Sequence, residues 1–192
     1  MNNPLDIGET LKLGWETFTK NAVPMIVGML LVGIIGGFTL GICLGPMVIG
    51  YNQMILRAAK GETVAIGDVF AGFQNFVPAL LLFLIMGVAI MIGFMLLVVP
   101  GMVLAFMFFW APWIMAEEPT MSPIDCLKGS VEAFKRDMGG SIVFVLVNVV
   151  VNMVGGFVPF GSFITGPVAS GMAAHGVLRV AESAGSAQPA HA

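Results

Sequence analysis

A chain of 192 residues with 58% hydrophobic and only 10% charged side chains is no water-soluble domain, because such domains carry about 25% charged residues. Eight Lys and Arg against eleven Asp and Glu leave a net charge of −3, and the mean hydropathy of +0.97 marks an integral membrane protein. No nucleic acid is expected as a partner, and the bilayer itself is the first one.

The charges are segregated. All 19 lie in residues 1–20, 57–68, 117–137 and 179–192, leaving three uncharged stretches of 36 to 48 residues at 21–56, 69–116 and 138–178. One helix over any of these would be roughly 54 to 72 Å long, against a hydrocarbon core of ~30 Å. Each stretch is therefore expected to enter the membrane and return. The expected fold is an all-α integral membrane protein with six transmembrane helices in three hairpins. All eight basic residues then fall on one side with both termini, which the positive-inside rule makes the cytoplasm. The expected location is the bacterial inner membrane.

In chain order, residues 5–19 place Ile7, Leu11, Trp15 and Phe18 on one helical face, with Glu9, Lys12 and Glu16 away from it. This predicts an interfacial helix anchored by Trp15 and Phe18. Acidic residues where a signal peptide is basic predict that this start is retained. Span one is expected at 22–38 and span two at 40–58. Ile66, Val69, Phe70, Phe73 and Phe76 predict a second interfacial helix, anchored by Phe70 and Phe73. Span three is expected at 78–98, a turn at Pro100-Gly101, and span four at 102–116, closed by Trp110 and Trp113 at the headgroup level. Ser122-Pro123-Ile124-Asp125 reads as a helix start, opening a third interfacial helix with Phe134 as its anchor. Span five is expected at 141–158, a turn at Pro159 and Gly161, and span six at 160–180. Cys43 and Cys126 are expected about a membrane thickness apart, as isolated thiols.

Gly45-Pro46-x-x-x-Gly50 runs on to Arg57, and Gly166-Pro167-x-x-x-Gly171 runs on to Arg179. With the interfacial patterns, this predicts one membrane domain at 1–182, built from repeats at about 5–62, 63–118 and 122–182, and a disordered tail at 183–192. Gly45, Gly50, Gly166, Ser170, Gly171 and Ala174 are small residues at helix-contact spacing. Whether they face another span or another subunit stays open.

Uncharged polar groups inside the expected spans are Asn52, Gln53, Asn148, Asn152 and His175. They line either a stepped polar path, as in a channel or small-solute permease, or hydrogen bonds between helices, which is the leading reading. His175 has no companion at metal spacing, and the fifteen methionines read as packing residues. No metal, cofactor or catalytic residue is expected, and an intramembrane enzyme with His175 as a lone base is a distant third reading.

Pro100-Gly101 with the aromatic run 106–112, the segment Cys126-Leu127-Lys128-Gly129-Ser130-Val131-Glu132-Ala133-Phe134-Lys135, and the two Gly-Pro-x-x-x-Gly spans together resemble a known group. It is the membrane domain of glycerophosphodiester-phosphodiesterase-like proteins and related uncharacterised bacterial multi-spanning proteins. The resemblance implies a six-span inner-membrane fold. In that group a soluble hydrolase domain can follow; none is seen after Val180, so the activity is not expected here. The expected function is a non-enzymatic scaffold or accessory subunit that self-associates or binds another membrane protein. Its basic residues are placed to meet anionic lipid headgroups.

Overall fold

The computed structural model describes residues 6–39, 41–156 and 161–186. They form α1 (Ile7–Lys20), α2 (Ala22–Phe38), α3 (Leu44–Ala59), a 3-10 helix (Ile66–Asn75), α4 (Phe76–Leu96), α5 (Val98–Met107), α6 (Ala111–Glu117), α7 (Pro123–Arg136), α8 (Met138–Gly156) and α9 (Ser162–Ser186). No strand occurs among the described residues.

Local chemistry explains several boundaries. Asp6 caps α1 by accepting from the Glu9 N–H at 3.1 Å. Ser122 caps α7 by accepting from the Asp125 N–H at 3.2 Å, with Pro123 in the first turn, where its missing N–H costs no hydrogen bond. Gly41 and Gly61 take positive φ (86° and 81°) in the turns flanking α3, a conformation other residues enter only at a cost.

Ile66–Leu96, Val98–Glu117 and Met138–Gly155 are long and apolar enough to cross a membrane. The pair α1 and α2 meets the same test only when joined, and it is bent by 93°. The 16 residues of α3 span about 24 Å at 1.5 Å per residue, less than a full hydrocarbon core. The protein is thus helical and membrane-inserted.

Several expected boundaries are corrected. The segment expected as an interfacial helix at 66–76 is a 3-10 helix over Ile66–Asn75, which joins α4 at Asn75 (φ −118°, ψ 45°) without an intervening loop. Chain reversal falls at Leu97, which is extended (φ −167°, ψ 151°), and not at Pro100-Gly101. Those two residues lie in the first turns of α5, where proline is tolerated and Gly101 lets α5 close against the ring of Phe94. Span four is broken at 108–110 into α5 and α6. Of the expected tail, residues 183–186 are helical within α9, and 187–192 lie outside the described residues. The expected turn at Pro159 lies outside them as well.

The core is shared by α3, α6 and α9, through Met47, Met54, Ile55, Met115, Met172 and Ala174, all fully buried. Three amphipathic segments wrap this core, each against a different helix. α1 turns Thr10, Gly14, Thr17 and Phe18 inward, and a Cβ on Gly14 would stand 2.7 Å from the Met172 nitrogen and 2.9 Å from the Val168 carbonyl of α9. The 3-10 helix meets α3 so closely that a Cβ on Gly50 would collide with the Val69 carbonyl, and one on Gly72 with the Pro46 carbonyl. α7 buries Ser130, whose hydroxyl donates to the Met107 carbonyl at the end of α5 at 2.6 Å.

Candidate functional site

The cavities gather where the apolar helices end in charge. A cleft of about 300 Å³ opens between α3, the 3-10 helix and α6, and is lined by Gln53, Arg57, Lys60, Gln74, Asn75 and Glu117. A second, of about 290 Å³, lies between α1, the end of α3 and α9, lined by Glu16, Lys20, Asn21, Glu62 and His175. A smaller one of about 170 Å³ sits between α6, α7 and α9, beside Glu132 and Arg136. Each cleft is walled by one amphipathic segment and the charged ends of two core helices. On the outer face of α7, a further groove joins Phe108 and Leu127 to Lys128 and Lys135.

Ion pairs hold the first cleft. Arg57 Nε reaches Glu62 at 2.8 Å and its Nη1 reaches Asp68 at 3.2 Å, while Lys60 Nζ meets Glu117 Oε1 at 2.7 Å. The other Glu117 oxygen, Oε2, is buried without a hydrogen-bond donor. Gln53, Gln74 and Asn75 make no side-chain hydrogen bond among the described residues. Around the second cleft, Thr17 Oγ1 and His175 Nε2 share a hydrogen bond of 2.9 Å, and Arg179 pairs with Glu9 at 2.6 Å. On α7, the Ser122 hydroxyl and then Lys128 hold the Asp125 carboxyl below its ordinary range. Burial first, then Asp125 and Glu118, push the Cys126 thiol up to about 11. Both Cys43 and Cys126 are unpaired.

The polar residues singled out in the sequence are dispersed. Asn148 donates to the Ala169 carbonyl of α9 at 2.8 Å, and Asn152 donates back to Asn148 at 2.9 Å. Gln53 lines the first cleft, His175 the second, and Asn148 and Asn152 neither; Asn52 is buried in α3. The helix-contact residues face neighbouring helices of the same chain: Gly45 meets Ala79 of α4, Gly166 meets the Met29 side chain of α2, and Gly171 meets Gly14 of α1. Ala174 is fully buried, and Ser170 lies between them on α9, half-buried.

The anchors divide. Trp15 (52% exposed) and Phe70 (44%) do face outward, and Phe73 is half-buried between the rings of Phe70 and Phe76. Phe18, Trp110, Trp113 and Phe134 are buried inside the protein, which corrects their reading as lipid-facing anchors. Trp110 packs on Phe144 of α8, with ring centroids 5.2 Å apart and planes tilted by 37°, and leaves room only for Gly176 beside it, where a Cβ would lie 2.9 Å from its ring. The wall of the first cleft formed by Lys60, Gln74, Asn75 and Glu117 was missed. Its signal was the recurrence of Gly14-Trp15-x-x-Phe18 as Gly72-Phe73-x-x-Phe76, which puts Gln74 and Asn75 where α1 carries Glu16 and Thr17.

No family model matches the chain, and no solved structure matches it. The chain is 25% identical, over 85% of its length, to the uncharacterized protein Rv2560 of Mycobacterium tuberculosis. It is equally similar to the uncharacterized protein Mb2590 of Mycobacterium bovis. It spans 65% of the length of these curated relatives.

Proposed function

We propose that the protein is a non-catalytic scaffold or accessory subunit of the bacterial inner membrane, with six spans and both termini in the cytoplasm, that self-associates or holds another membrane protein. One observation carries this reading: Asn148, His175 and Ser130 each bond across to another helix rather than line a common path. Asn148 ties α8 to α9, His175 ties α9 to α1, and Ser130 ties α7 to α5. Bonds of this kind between helices in lipid contribute about 0.6 to 2 kcal/mol each, and together they make a stiff body suited to presenting a surface.

The order of contacts supports a threefold repeat closed on itself. The amphipathic segment that opens each expected repeat rests on the second helix of the one before, and α1, which has none before it, rests on α9. The outward apolar faces of α4 (Leu84, Val88, Met91, Met95) and α8 (Val143, Val150, Val154) are then available to lipid or to a partner span. Lys12, Lys20, Lys128, Lys135 and Arg136 face anionic headgroups, each contributing about 1 kcal/mol near the surface. Gln53 and His175 line separate clefts, which favours packing over a conducting path. Purification in mild detergent, with mass by light scattering and co-purifying chains identified by mass spectrometry, tests the reading. A multimer or a stoichiometric partner is expected; a lone monomer with nothing bound refutes it.

A further inference from the structure

The cleft between α3, the 3-10 helix and α6 differs from the others in having an unanswered acceptor. Its charged wall is balanced, with Arg57 and Lys60 against Asp68 and Glu117. Its cations are not exhausted: Arg57 uses Nε and Nη1, and Lys60 has one partner for three N–H donors. Glu117 Oε2 is buried with no donor, and a buried unpaired carboxylate oxygen costs free energy until a donor reaches it. Among the described residues, the three carboxamides of Gln53, Gln74 and Asn75 also make no side-chain hydrogen bond. A ligand that satisfies this wall brings its own N–H donors to Glu117 and an anion to Arg57 and Lys60. A purely anionic ligand would leave Glu117 Oε2 unpaired, and a quaternary ammonium has no N–H to give it.

We propose that this cleft binds a phosphoethanolamine group, a primary ammonium joined by two carbons to a phosphate ester. The inference rests on the membrane reading above. Three observations support it: the donor and acceptor balance, the volume of about 300 Å³, which is at the small end for ligand clefts, and the position. The cleft lies where Arg57, Lys60 and Glu117 succeed the apolar runs of α3 and α6, the level at which phospholipid headgroups sit. The ammonium pairs with Glu117 Oε2, the phosphate with Lys60 and the free edge of Arg57, and the methylenes lie on Ala71 and Ala116. The same chemistry is offered by a phosphatidylethanolamine of the inner leaflet and by free O-phosphoethanolamine.

The test is native mass spectrometry of the full chain, delipidated in detergent and titrated with phosphatidylethanolamine, phosphatidylcholine or phosphatidylglycerol of matched acyl chains. A parallel titration uses free O-phosphoethanolamine. Phosphatidylethanolamine is expected to be retained about tenfold better than the other two, the scale of one charge-assisted hydrogen bond. Glu117→Gln and, separately, Gln53→Leu should each reduce that preference, while Glu182→Gln, exposed on α9 and outside the cleft, leaves it intact. Elution volume on a sizing column identifies any variant that misfolds, and the other variant then decides. Binding of the free compound alone would assign the site to the soluble source. Equal retention of the three lipids with no binding of the free compound, or a preference unchanged in folded Glu117→Gln, overturns the proposal. Release of the protein from membranes by alkaline carbonate would instead overturn the membrane reading, so the two failures are distinguishable.

Discussion

Gly50 is the sharpest place to perturb the packing. A Cβ added there would collide with the Val69 carbonyl and stand 2.8 Å from the Val69 carbon and the Gly72 nitrogen. All three are main-chain atoms, which cannot swing aside as a side chain can. To reach ordinary contact the 3-10 helix must move away from α3 by about 1 Å, and the reciprocal contact of Gly72 with the Pro46 carbonyl moves with it. Overpacking costs about 1 to 3 kcal/mol, and the rigid partner argues for the upper half. Gly→Ala within a helix gains about 0.8 to 1 kcal/mol in propensity, leaving Gly50→Ala destabilised by about 1 to 2 kcal/mol. For a chain of this size that is a fall of about 2 to 8 °C in melting temperature. Gly33→Ala is the internal control: it sits in α2 with nothing within 4 Å of the added carbon and keeps the propensity gain without the clash. Thermal unfolding in detergent, followed by intrinsic tryptophan fluorescence, reads both. If Gly50→Ala melts at or above Gly33→Ala, the close approach of the two helices is wrong.

Thr17→Val and His175→Leu should each destabilise, and the double variant should show a coupling of about 0.6 to 2 kcal/mol in the same assay; additive effects would mean the bond does not form. Ser122→Ala removes the α7 cap and should cost about 0.5 to 2 kcal/mol, with Ser122→Asp recovering most of it. Cys126 should resist alkylation by iodoacetamide at pH 8 in the folded protein and react after unfolding. Because its folded thiol titrates above the ordinary 9.0, at about 11, the stability tied to it is present below pH 9 and lost as pH rises through 11. In a background lacking native cysteines, Lys12→Cys, Gly67→Cys and Glu132→Cys should label with an impermeant maleimide only once the inner face is opened. Labelling of any of them in intact cells breaks the proposed topology.

Much of the helical outline was legible, because charge and punctuation mark it. α2 falls at residues 22–38 as expected, and α7 begins at the Ser122-Pro123 signal. In α1 the outward stripe of Leu11 and Trp15 was legible, and the face turned to α9, with Phe18 on it, was not. In lipid that stripe has no reason to leave its solvent, and the side that gains from burial is the small or polar one. Hence Thr10, Gly14 and Thr17 face α9 while Leu11 and Trp15 face out. The burial of Trp110 and Trp113 was illegible for a related reason. Their position at the end of a span fits a headgroup anchor equally well; the break at 108–110, just ahead of Pro112, which has no N–H for the i−4 bond to Phe108, turns Trp110 toward Phe144 of α8 and Gly176 of α9.

The same inversion explains how so apolar a chain can select one packing. A surface of Leu, Ile and Val offers no preferred register in lipid, since hydrocarbon packs against hydrocarbon at nearly equal free energy wherever it lies. Selection must come from contacts that tolerate no sliding. Gly14 on α9 and Gly50 with Gly72 admit only one longitudinal position, because a shift of one residue puts a Cβ into a carbonyl. Ser130 on Met107 and Asn148 on Ala169 add a directional bond that a one-residue shift would break. These few contacts, lying at different helix pairs, set the register for the long apolar rods between them. They also place Gln53, Gln74, Asn75 and Glu117 around one cleft, so the polar wall there is a consequence of where the glycines allow the backbone to touch.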